Sequence, residues 1–192
     1  LKLTVHLREG IKWHDGVPFT SADVQATFDR IMDPNVKKAP NAEASVPIIE
    51  SVSSPDDHTV VFDMGDQPSN LILPYLATTW ISIVPKHMLD KGPDELRDNA
   101  VGTGPFTIDW DDKQRGIGYV RNPDYWGTDQ EARPLPYLDS MELNTVKDST
   151  QQLALFRGGQ IDVWPMWPAM EVSTAKAIKD QLGDAIYVDP IQ

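Results

Sequence analysis

The chain opens on strict alternation, with Leu1, Leu3, Val5 and Leu7 interleaved with Lys2, Thr4, His6 and Arg8. A period of two sends successive side chains to opposite faces of a pleated strand, so this stretch predicts a half-buried β-strand already in full stride. A strand in progress at residue 1, with no initiator Met, is expected to belong to something longer. Trp13-His14-Asp15-Gly16 then supplies turn chemistry: Gly16 takes positive φ at no steric cost, and Asp15 can bond its own backbone. Thr20 is placed to cap a helix, with Asp23 near the positive end of its dipole. Val24, Phe28 and Ile31 follow at i, i+4 and i+7, an apolar stripe for one helix face, and Asp33-Pro34 ends it. Residues 35–46 read as a loop. Two strands, Ile48 to Ser53 and Thr59 to Met64, are expected to pair as a hairpin through Ser54-Pro55-Asp56-Asp57.

Proline then sets the rhythm. Gln67-Pro68-Ser69 opens a short apolar helix through Ala77, Pro85 starts another through Leu89, and Pro93 repeats the device. The character changes at Asn99 to Gly104, where a glycine-rich turn leads into a strand from Phe106 to Trp110, with Gly118 to Arg121 as its partner. Met141, Leu143 and Thr145 alternate as a further strand. Asp148 is expected to cap a helix that points Leu153 and Phe156 inward and stops at Gly158-Gly159. Ile161 to Val163 reads as a short buried strand, Ala169 to Leu182 as a helix, and Ala185 to Val188 as a last strand. Strands and helices in alternation predict an α/β layer at this end, within a mixed α+β chain.

Composition narrows the classes. With 192 residues, 40% of them apolar, the chain can bury one sizeable core or two small ones. Sixteen prolines and twelve glycines spread along the whole length suit a turn-rich globular chain. A formal charge of −12 repels phosphate backbones and anionic lipid, which argues against nucleic acid and membrane surfaces as partners. No stretch is apolar for long enough to cross a bilayer. Without cysteine there is neither a disulfide framework nor a thiolate metal site.

Four blocks carry a resemblance. They are Leu7-Arg8-Glu9-Gly10-Ile11-Lys12-Trp13-His14-Asp15-Gly16 with Pro18-Phe19-Thr20 and Asp23-Val24; Gly102-Thr103-Gly104-Pro105-Phe106; Arg121-Asn122-Pro123-Asp124-Tyr125-Trp126; and Leu153 through Val163, which holds Arg157-Gly158-Gly159-Gln160-Ile161-Asp162. In this order they resemble the extracellular solute-binding proteins of family 5, the peptide/nickel type. The resemblance implies a periplasmic-binding-protein type II-like fold, in which two α/β lobes close on a ligand and an extra domain is inserted in the first lobe. By that analogy residues 1–100 are the inserted α+β domain and 101–192 part of the first lobe. Val188-Asp189-Pro190 would then be the crossover toward a second lobe, which together with any signal or lipid anchor lies outside this sequence. The implied role is capture of a solute on the periplasmic or extracellular face of the cytoplasmic membrane and its delivery, by a monomer, to an ABC permease. Peptide is the first ligand class and oligosaccharide the second, and a sensor or chaperone-like peptide binder is the alternative role.

Candidate chemistry is sparse. His14 and Asp15 are adjacent, but neighbouring side chains diverge and rarely converge on one ion, so the pair is read as part of a turn and no metal is expected. No GxSxG elbow, phosphate loop or HExxH helix is present, so neither an enzyme nor a cofactor is expected. Trp164, Met166 and Trp167 follow the expected strand at 161–163 and are stiffened by Pro165 and Pro168. Ligands of open α/β layers sit beyond strand ends, where indole faces can stack on a ligand and Met can fill gaps. These three are the candidate ligand contacts, and Trp80 joins them through the resemblance. Asp162, within the same expected strand, is read as a buried structural acid.

Overall fold

The computed structural model describes residues 1–36, 46–68, 72–77, 81–92, 95–164 and 171–187. It packs as two compact units: Leu1–Asp112 with Ile117–Leu143, and Lys113–Gly116 with Asn144–Gln192. This packing boundary falls later than the break near residue 100.

The first unit is built on an antiparallel sheet of β1 (Lys2–His6), β2 (Ser51–Asp56) and β3 (Thr59–Asp63) in the order β1-β3-β2. β1 keeps the alternation read from its sequence: Leu3 and Val5 turn inward opposite Phe62 and Val60. The central strand is the most deeply covered, with Val60 fully buried and Phe62 almost so. β2 runs on through Pro55 to Asp56, so the hairpin turns at Asp57-His58, later than the expected Ser54 to Asp57. Proline lacks the amide that a ladder needs; it survives here because β2 is an edge strand with a register shift between Ser53 and Asp56.

Helix α1 (Ser21–Met32) lays Val24 and Phe28 on this sheet, and Phe28 meets Phe62 edge-on at 5.0 Å between ring centroids. Ile49, Val52, Met64, Ile72 and Ile81 complete the core. Among the described residues three one-turn helices follow, α2 (Leu73–Leu76), α3 (Lys86–Leu89) and α4 (Glu95–Asp98). A second sheet has the order β4 (Phe106–Asp112), β5 (Gly116–Arg121), β6 (Ser140–Asn144). At Gly118 any Cβ would stand 2.0 Å from the Trp110 indole nitrogen, so the ring can lie on β5 only over a glycine.

The second unit holds α5 (Ser149–Arg157) and α6 (Val172–Leu182), with a 3-10 turn over Gly183–Ala185. Several expectations fail here. Ile161 to Val163 is irregular and Val163 is 75% exposed, because no strand among the described residues offers this segment a ladder. Asp162 is accordingly exposed and is not a buried hydrogen-bonding acid. Ala185 closes a 3-10 turn and Ile186-Tyr187 is not strand, while Val188 lies outside the described residues. The alternating α/β layer expected after β6 is therefore a pair of helices in the described residues.

Candidate ligand-binding site

Three of the four sequence blocks meet in the first unit, and hydrogen bonds show what they do there. Trp13 is buried, stacks edge-on with Phe19 at 5.5 Å and donates from Nε1 to the Asp23 carboxylate at 3.3 Å. Asp23, also buried, accepts the Thr20 amide at 2.8 Å and the Lys86 amide at 2.7 Å. The expected cap of α1 is thus present as a capping box, and the carboxylate half carries the hydrogen-bond geometry. The same carboxylate ties the 13–20 turn to the start of α3. Sequence reading found in Asp23 only a dipole partner; its reach to Lys86 crosses 63 positions and leaves no local signature.

His14 is equally committed. Its Nε2 bonds the Gly104 carbonyl at 3.0 Å, and its Nδ1 faces the Gly102 amide at 3.3 Å, which fixes the tautomer with the proton on Nε2. With both ring nitrogens engaged, His14 has none free for a metal. Asp15 instead faces His87 Nε2 at 2.6 Å. Burial alone would push the Asp15 carboxyl up, but the hydrogen bonds from His87 and the Val17 amide outweigh it and hold the group below its ordinary value. Among the described residues no cluster of three or more His, Cys, Asp or Glu could hold an ion. Asn122 completes the junction by donating to the Gly104 carbonyl at 3.0 Å and accepting the Asp124 amide at 3.0 Å. Lys12 reaches Asp124 at 3.8 Å, and Arg8 lies 4.6 Å from the Trp126 ring centroid. These blocks are joinery.

The fourth block shapes a different place. Asp148 caps α5 by accepting the Gln151 amide at 2.7 Å. At the other end Gly159 takes φ +66°, and Gln160 bonds back to the Leu155 carbonyl at 2.9 Å, the pairing of a Schellman stop. That reversal returns the chain over α5, where Trp164 meets Phe156 edge-on at 5.9 Å and 87°. Trp164 is half-buried, and its indole nitrogen is covered yet without a hydrogen-bond partner among the described residues. Of the candidate contacts, Trp164 alone can be placed: Trp80, Met166 and Trp167 lie outside the described residues. Gln152, one turn before Phe156, also carries a buried atom, Oε1, without a partner among the described residues, a feature that sequence does not reveal.

The model of the bacterial extracellular solute-binding proteins, family 5, matches residues 1–190. The chain belongs to that family. The glutathione-binding protein GsiB of Escherichia coli O1:K1 is 31% identical over 161 residues, covering 83% of this chain and 30% of its own length. Among solved structures, the periplasmic binding protein DppA of Helicobacter pylori, in complex with the peptide STSA, aligns with a TM-score of 0.72 and 31% identity. That match covers 84% of this chain and 34% of DppA. The binding protein AgaA of A. tumefaciens R10, in complex with agropinic acid, aligns at 0.71 and 30%, covering 84% of this chain and 31% of its own. The chain thus spans about a third of the length of the proteins it matches. Its mixed α and β architecture is that of part of a family 5 binding protein.

Proposed function

We propose that this chain serves the capture of a small solute, a peptide before other classes, outside the cytoplasmic membrane and its delivery to an ABC import permease. The observation that carries this reading is the family match over residues 1–190. Relatives and neighbours support peptide as the first class: one is named for glutathione, itself a short peptide, and one holds the peptide STSA. Capture makes and breaks no covalent bond, and the family consists of binding proteins. Work is done by differential affinity: a ligand touching two lobes stabilises their closed arrangement over the open one. Nucleotide hydrolysis then belongs to a separate ATPase.

In this reading residues 1–100 form the inserted domain and 101–192 contribute to the first lobe. Trp164 supplies an aromatic wall for the ligand, already seated on Phe156 and so losing little freedom when a ligand arrives. Trp167, Met166 and Trp80 remain the further candidate ligand contacts.

The test is chemical identification of the cargo. Full-length protein purified from its own cells is denatured, and the released small molecules are read by mass spectrometry. Peptide masses are expected. Recovery of an oligosaccharide alone would reject peptide as the ligand class. Recovery of nothing, with no heat on titration with a mixture of di- to pentapeptides or with maltotriose, would reject solute capture.

A further inference from the structure

The two bonds of the His14 ring make opposite demands. Nδ1 accepts the Gly102 amide at 3.3 Å, and Nε2 donates to the Gly104 carbonyl at 3.0 Å. A neutral imidazole meets both with a single tautomer, whereas an imidazolium carries a proton on each nitrogen and accepts at neither. Protonation therefore sets an N–H of the ring against the Gly102 N–H, and no rotation of the ring restores an acceptor. The hold on the carbonyls survives: the His14 amide still donates to Gly102 at 2.8 Å, and Asn122 still donates to Gly104 at 3.0 Å. Acid thus removes the acceptor that the described residues give the Gly102 amide and leaves the rest of the 102–104 turn in place.

The next residue responds in the opposite sense. Asp15 Oδ2 lies 2.6 Å from His87 Nε2 on α3. A neutral His87 can donate there, and a charged one adds an ion pair to the same bond. Burial acts to raise the Asp15 carboxyl, but the bonds from His87 and the Val17 amide outweigh it and hold the group below its ordinary 3.8. Asp15 is therefore still a carboxylate at about pH 6.5, where imidazoles ordinarily charge. The other charged groups on the surrounding elements are engaged elsewhere. Lys12 faces Asp124, Lys86 faces Asp90 and Lys91 faces Glu95, while Arg8 lies over Trp126. Asp23 takes the Trp13 indole and the Thr20 and Lys86 amides, and Arg97 of α4 is exposed. The 102–104 turn and Asn122 bring no charge to the ring.

We propose that His14, Asp15 and His87 form a proton-driven switch, in which acid frees the Gly102 amide from His14 and tightens Asp15 on His87. The hold of the 13–16 turn then passes from the 102–104 turn to α3. The 102–104 turn leads into β4, so the amide that is freed lies at the entry to the second sheet. The switch is independent of which solute is captured. A chain on the outer face of the cytoplasmic membrane, where the proposed function puts it, meets external acid directly.

The test follows the full-length, ligand-free protein from about pH 8 to about pH 5, across the imidazole range. The ring nitrogens, read by NMR, report protonation of His14 and His87. Hydrogen exchange, corrected for its intrinsic pH dependence, reports protection of the Gly102 amide. That protection should fall about tenfold, the scale of one lost hydrogen bond, with the midpoint at which His14 Nδ1 gains its proton. The Phe62 amide should keep its protection throughout. His14→Gln retains one acceptor and one donor and has nothing to titrate, so its Gly102 protection should stay level across the range. His87→Gln should keep the Gly102 response but lower the thermal midpoint more at about pH 5 than at about pH 8, since only the charged form of the bond is pH-dependent. A wild-type Gly102 amide whose protection stays level while His14 charges overturns the switch, and so does a His14 ring still neutral at about pH 5. Equal losses for His87→Gln at the two ends overturn it as well, because the hold would not pass to α3.

Discussion

Asp129 gathers more hydrogen bonds than any local pattern suggests. The Tyr137 hydroxyl donates to its Oδ2 at 2.5 Å and Arg133 Nε at 2.6 Å, while the Glu131 and Arg133 amides donate to Oδ1 at 2.8 Å each. The Tyr137 bond is foremost among the causes, and together they lower the carboxyl from the ordinary 3.8 to about 2. A carboxyl depressed on folding binds its proton more readily in the unfolded chain. Its contribution is therefore whole above about pH 4 and is lost as pH falls through about 2. Tyr137→Phe removes the leading cause, so the Asp129 carboxyl carbon, followed by NMR, should titrate closer to 3.8 than in the wild type. A midpoint left at about 2 would assign the effect to Arg133 and the amides instead. The Asp-x-Glu-x-Arg spacing of 129 to 133 is visible in the sequence, but nothing there announces that Tyr137 returns to it.

At the scale of elements, the legible features are those set by neighbours along the chain. The alternation of β1, the apolar stripe of α1, the Asp148 cap and the Gly158-Gly159 stop all depend on contacts within a few residues, and each stands where its pattern placed it. The short strands at 161–163 and 185–188 were expected from composition alone. A strand exists only through a partner, and three or four apolar residues cannot say whether one is present. Trp164 follows the first of these segments. The residue nevertheless reaches an aromatic contact, because the stop at Gly159 turns the chain back over α5.

Asp23 shows the same boundary between near and far. Its place near the positive end of the α1 dipole is legible from position, but its bonds to Thr20, Trp13 and Lys86 join α1, the 13–20 turn and α3. Asp23→Ala leaves three donors without their acceptor in a buried setting. It should cost about 3 kcal/mol or more in urea denaturation. Thr20→Ala loses only the weaker half of the box and should cost no more than about 1 kcal/mol. Equal losses for the two would mean that Asp23 acts as a cap and nothing else.

For the whole molecule, the distribution of burial decides what is firm. Every buried apolar side chain among the described residues belongs to the first unit except Ile178. That unit holds Phe28, Val60, Phe62 and Ile72 at or near zero exposure, under a three-stranded sheet and a twelve-residue helix. In the second unit α5 has no buried residue and α6 has one, while Val163 and Val172 stand 75% and 84% exposed. Apolar burial stabilises by roughly 25 cal/mol per Å², so two helices with so little of it derive small support from their packing. Helices of nine and eleven residues are also too short to persist alone in water. Opening is therefore expected to differ between the units within one chain. In native-state hydrogen exchange on residues 1–192, the amides of Val60 and Phe62 should exchange only with global unfolding of the first unit. Amides inside α5 and α6, such as Phe156 and Ile178, should exchange at least about a hundredfold faster, a gap of roughly 3 kcal/mol in opening free energy. Protection of α6 equal to that of β3 would mean that the second unit has support which the burial of its described residues does not supply.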